Sequence, residues 1–166
     1  MSLNFPILLL AALVPLLVGF VWYNPKTFGN IWMKEAEMTD EKMKSANMAV
    51  IFGLTFVLGV LLAIALNFMV VHQLSVYSIL VNEPGFGEPG SDIENFIQDF
   101  MGKYGQNFRT FKHGAFHGIE AGLLFALPLI AVNGLFERKS WKYILINAGF
   151  WTVCLVLMGG IICAWA

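Results

Sequence analysis

The sequence is poor in charge and carries none of the compact signatures of soluble enzymes. Charged residues make up only 13% of the chain, about half the share in an ordinary globular domain. There is no GxSxG, no phosphate-binding P-loop, no CxxC, and no GxGxxG following a strand, so the common nucleophile elbow, nucleotide cradle and redox dithiol are excluded. The glycine-rich stretch from Gly85 to Gly90 is broken by Pro89, closely follows Pro84 and precedes an acidic segment, which is wrong for holding phosphate. A net charge of −1 supplies no basic face and argues against a nucleic-acid partner. Cysteine is scarce: Cys154 and Cys163 lie on one expected helix, roughly 13 Å apart by the helical rise, too far to bridge.

What the chain has in excess is apolar surface. Apolar residues reach 58% of 166 residues, more than a chain of this size can hide from water, so lipid must take the surplus. Four apolar runs, about 5–23, 47–72, 113–136 and 143–165, each match the roughly 20 residues that cross a hydrocarbon core. The first has no basic residue before it and ends in Trp22-Tyr23-Asn24-Pro25 rather than small residues, which reads as a retained span. The expected architecture is all-α: a single membrane domain over 1–166, an integral membrane four-helix bundle. Pro15 and Pro128 should kink the first and third spans.

Lys26, Lys34, Lys42, Lys44, Arg138, Lys139 and Lys142 fall in the connections between spans one and two and between three and four. The longer segment 73–112 holds only Lys103, Arg109 and Lys112. This asymmetry predicts that the first side is cytoplasmic and both termini lie outside. Thr39 should cap a helix that runs through Asp40 and Glu41 into the second span as one continuous rod. In the outer segment, Ser91 and Glu94 form a capping-box pattern. Ile93, Phe96, Ile97, Phe100, Met101 and Tyr104 then repeat as one face of a short amphipathic helix. Asn47 with Gly59 and Asn147 with Gly159 share one spacing, which suggests a two-plus-two duplication.

Trp22-Tyr23-Asn24-Pro25, Phe28-Gly29 and Trp32-Met33, followed far downstream by Asn147-Ala148-Gly149-Phe150-Trp151 and Gly159, resemble the pattern of a family of small bacterial membrane proteins catalogued as domain of unknown function 1761. The resemblance implies a four-span protein of the bacterial cytoplasmic (inner) membrane. It supplies no activity, substrate or catalytic residue.

Chemistry concentrates in one place. His113, His117 and Glu120 stand at i, i+4 and i+7, on one helical stripe. His72 closes the second span on the same side, with Asn67 roughly 7 Å deeper, and Cys163 approaches from the fourth span. Imidazoles with a carboxylate suit a transition metal, for which His113, His117 and Glu120 are the candidate ligands. Imidazoles from facing helices also suit axial ligation of haem, and the same groups can relay protons. The plain alternative is a buried polar network that locks helix register. Gly114, Gly118, Gly122 and Ala126 form a neighbouring stripe that admits a close helix, with Gly159 on the fourth span as a matching surface.

The first expectation is therefore a non-enzymatic protein of the lipid bilayer, acting as a homo-oligomer or as an accessory subunit of a larger membrane complex. A metal- or haem-binding membrane protein stands second. A proton-coupled carrier of small solutes using Glu120 stands third.

Overall fold

The computed structural model describes residues 3–166. Among these the chain is all-helical, and four helical stretches are long and apolar enough to cross a membrane: Phe5–Trp22, Met48–Val70, Phe111–Phe136 and Trp141–Trp165. Two of them are not single helices. Leu13 separates α1 (Phe5–Ala12) from α2 (Val14–Trp22), and Pro15, in the first turn of α2, has no amide to continue the ladder across that point. The third stretch is α8 (Phe111–Ala121), a π-helical turn (Gly122–Ala126) and α9 (Leu127–Phe136). Pro128 sits in the first turn of α9, and the wide turn just before it gives its ring room.

The helix α10 (Trp141–Trp165) is the hub. Half of its span is buried, against 17% for α5 (Met48–Val70), because α10 packs on α1, α2, α5 and α8. Leu8, Ala63, Val70, Cys154, Met158 and Ile162 form the core it shares with α1 and α5. Against α8 the approach is backbone on backbone. A methyl group at Gly114 would overlap the Gly159 carbonyl, and one at Gly118 the Leu155 carbonyl. One at Gly122 would come within 2.5 Å of the Thr152 hydroxyl. In lipid, where apolar contact alone gives little preference between neighbours, such close dispersion packing is what selects a partner. Gly59 plays the same part for α5, facing the Ala12 carbonyl of α1.

At one end of the bundle an aromatic cap ties α2 to α10. The Trp22 indole donates to the Ile146 carbonyl at 3.1 Å, and the Tyr23 hydroxyl donates to Asn147 Oδ1 at 2.9 Å. Tyr23 also packs edge-on against Trp32 of α3 (Gly29–Glu35) and against Phe150. Gly29 lies against the Tyr23 and Asn24 carbonyls with no room for a side chain. Glu35 accepts a hydrogen bond from Ser140, and Glu37 pairs with Lys139 at 3.1 Å. Asn47 and Asn147 do different work: Asn47 caps α5 by accepting from the Val50 amide, whereas Asn147 is half-buried mid-helix. The suggested duplication finds no support in those two residues.

Two connections depart from the sequence expectation. The helix α4 (Asp40–Ser45), capped by Thr39, does not run on into α5; Ala46 is extended and Asn47 starts a new cap. The segment after α5 holds two helices rather than one, α6 (Gln73–Leu80) and α7 (Asp92–Tyr104). Only α7 carries the amphipathic period that a sequence reading detects. Ser91 Oγ accepts from the Glu94 amide at 3.2 Å, and Ile97 is the buried member of the stripe while Phe96 stays exposed.

Candidate metal centre

The second apolar stretch stops at Val70, because Val71 adopts a non-helical conformation (φ −103°, ψ 84°). That break swings His72 out of the α5 ladder to head α6. Across from it, Thr110 caps α8, its hydroxyl accepting from the His113 amide at 3.2 Å. The cap fixes where the helix begins and therefore which face His113 and His117 share. The three rings meet through the same atom. Nε2 of His72 lies 2.9 Å from Nε2 of His113 and 3.1 Å from that of His117, and the last two are 3.1 Å apart.

This triangle cannot be satisfied by hydrogen bonds. Each Nε2 carries either a proton or a lone pair. With three atoms and two states, at least two must be alike, so at least one contact sets lone pair against lone pair or N–H against N–H. A cation that accepts all three lone pairs would satisfy the three atoms together. Glu120 helps to put one of them there: its Oε2 lies 2.6 Å from His117 Nδ1, so a proton held on Nδ1 leaves Nε2 bare. That carboxylate–histidine arrangement is the usual support behind a metal-bound imidazole.

The spacing bears on which group the three nitrogens could share. Nitrogens about 2.1 Å from an ion lie roughly 3.0 Å apart at right angles and about 3.4 Å apart in a tetrahedron. The observed edges bring the three nitrogens close enough together to share one ion. Trans ligands of a haem iron would stand roughly 4 Å apart with a porphyrin between them, and no pair here leaves that gap. Glu120, taken from sequence as a ligand, stands behind His117 instead.

Other residues named from sequence are placed elsewhere. Cys163 points its thiol at the Val70 and Phe108 carbonyls, 3.4 and 3.2 Å away, and stays outside the imidazole triangle. Asn67 is buried in α5, and among the described residues its side chain makes no hydrogen bond to the histidines. Phe108 is a member that sequence reasoning missed. Its backbone takes the left-handed conformation (φ 62°), uncommon for an aromatic residue, and its ring stacks on His113 at 5.0 Å between centroids. Arg109 then caps α10 through the Cys163 and Ala166 carbonyls, with 2.8 Å to the former. A cavity of about 330 Å³ opens beside His72, lined by Gln73, Val76, Phe100, Tyr104, Asn107 and Phe108.

Fold and site together define an all-helical protein with four helices long and apolar enough to cross a membrane and a three-histidine cluster where α5 meets α8. The chain belongs to the family described as protein of unknown function (DUF1761), whose profile matches residues 7–163. No curated protein and no solved structure matches it.

Proposed function

We propose that this is a transition-metal-binding membrane protein, with the ion held by Nε2 of His72, His113 and His117 and with Glu120 orienting His117. The observation that carries the reading is the triangle of like atoms with edges of 2.9–3.1 Å, which hydrogen bonding leaves frustrated and a cation resolves. Imidazole donors suit first-row divalent ions such as iron(II), cobalt(II) or nickel(II). Open coordination positions remain for water or another ligand, as in sites that act on what they bind rather than merely brace a fold.

The lysine and arginine distribution supports a bacterial cytoplasmic membrane setting in which the histidine end faces outward and the aromatic cap lies on the cytoplasmic side. The exposed apolar faces of α5 and α9 suit lipid, and equally suit other copies or a larger complex.

Elemental analysis of the detergent-purified protein, made without a polyhistidine tag, tests the proposal. About one first-row transition metal per chain is expected in the wild type, and its loss in His113→Ala. A wild-type protein that is metal-free and takes up none of iron(II), cobalt(II) or nickel(II) in equilibrium dialysis would sink it.

A further inference from the structure

Directly along the membrane-crossing helices from the histidines lies a larger cavity, of about 610 Å³. Leu62, Ala65 and Met69 of α5 form one wall, Ala121, Phe125 and Leu129 the other, and α10 the floor. The wall residues of α5 recur at i, i+3 and i+7, so they make a single stripe roughly 10 Å long by the helical rise. The cavity lies where α5 and the π turn make at most a weak contact with each other, each resting on α10 instead. Its position relative to the cluster follows from the helices. Ala121 is one turn beyond His117 on the same face, and Met69 is close to the α5 terminus from which His72 projects. None of the three histidines lines the cleft, but their triangle stands about one turn beyond its Ala121 end, and the Trp151 indole on the floor carries the one polar side-chain group in an otherwise apolar lining.

Such a cleft suits one kind of occupant. A polar solute finds no hydrogen-bond partner along the walls, and burying its polar groups there is costly. A plain hydrocarbon fills the cleft but has nothing for the vacant positions of an ion. A single-chain amphiphile does both, and a bilayer presents such molecules with the chain parallel to the helices. We infer that the site takes an amphiphile with one hydrocarbon tail in this cleft and an oxygen-bearing head that reaches the metal. The inference rests on the metal reading above. Fatty carboxylates and alkyl quinols share that chemistry, and both arrive from within the bilayer. On the other side of the cluster, the Phe108 ring covers His113.

Cobalt(II) makes the site visible, since its visible bands respond to a new oxygen ligand. The cobalt-loaded protein in phosphatidylcholine nanodiscs is titrated with decanoate and with decylhydroquinone, and with acetate and decane as controls. A spectral change at a concentration on the order of 100-fold lower for a ten-carbon chain than for acetate is expected, from the burial of methylenes in cleft and bilayer, with no change for decane. Partitioning into the bilayer alone would produce part of that difference, so the deciding comparison is with Ala65→Trp. That residue is exposed on the cleft wall, where an indole fills the space without disturbing the core. The variant should keep its cobalt and lose the ten-carbon response by tenfold or more. Leu129→Trp, on the opposite wall, serves if the first variant does not fold. A response to only one of the two heads assigns the source. An undiminished response in both variants, or no spectral change with either amphiphile, overturns the inference and leaves the metal site standing. Failure of the wild type to bind cobalt, iron or nickel overturns both.

Discussion

The two ends of the bundle use polar groups in opposite ways. At the aromatic cap, Trp22, Tyr23 and Asn147 each give their hydrogen to a waiting acceptor, so the contacts there are mutually consistent. Among the described residues the Trp32 indole is the one buried side-chain group without a partner. At the histidine end, three identical atoms crowd into a triangle that no assignment of protons can satisfy. The tryptophan- and asparagine-bearing segments Trp22-Tyr23-Asn24-Pro25 and Asn147-Ala148-Gly149-Phe150-Trp151 lie at the first end, and the imidazole cluster at the second. Dense motif and reactive site need not coincide; here the motif builds the frame that holds α10, and α10 holds α8 with its histidines.

The largest break in that comparison should come from Trp22→Ala. Removing the indole and its hydrogen bond to Ile146 is expected to destabilise the protein by about 3 kcal/mol, measured by thermal or denaturant unfolding in detergent, while metal content per folded chain stays at the wild-type level. A loss of metal from properly folded Trp22→Ala would show that the ends are not separable. Glu120→Gln sharpens the other side. It keeps the size and a hydrogen bond to His117 but removes the charge, so metal affinity should fall roughly 10- to 100-fold with little change in the unfolding midpoint; chelator competition reads the first and a melting curve the second. The smallest effect belongs to Glu37. Its hydrogen bond to Lys139, reinforced by the charge attraction, lowers its pKa below the usual glutamate value. A depressed carboxyl contributes stability above its unfolded pKa and loses it as pH falls through the folded one. The wild type should therefore lose slightly more stability than Glu37→Gln on acidification below about pH 4.5. The site is fully exposed, so the difference should be barely resolvable.

Much of the frame is visible in the residue order. Apolar runs of spanning length need no tertiary information, and the i, i+4 spacing of His113 and His117 survives into the structure because α8 is regular there. Azimuth and chain direction are harder. Asn67, His72 and Cys163 all lie at a depth from which they could reach the histidines of α8, yet only His72 does. Its placement depends on the ψ angle of Val71, a residue with nothing in its side chain to announce a break. The thiol of Cys163 turns to the Phe108 carbonyl and to that of Val70, which the kink exposes because Val70 ends its helix there. Likewise α6 has no clear apolar period, and the left-handed backbone of Phe108 has no signature in its side chain. Proline kinks were legible as positions, but not as a clean break in one span and a widened turn in the other.

That widened turn has a consequence for how the chain tolerates editing. A π turn is an α-helix with one residue too many, and it absorbs the surplus locally, so the residues beyond it face as they would in an unbroken helix one residue shorter. Deleting one residue between Gly122 and Ala126 would therefore restore an unbroken helix and leave α9 facing as it does now, whereas a deletion elsewhere in the span would spin α9 by about 100° relative to the histidine-bearing half. In that second case Gly134, which admits the Ile144 side chain, would turn away from α10. The half with the histidines and the half with the proline are thus held in register by one surplus residue, the place in the span where a codon can be lost without turning one half against the other.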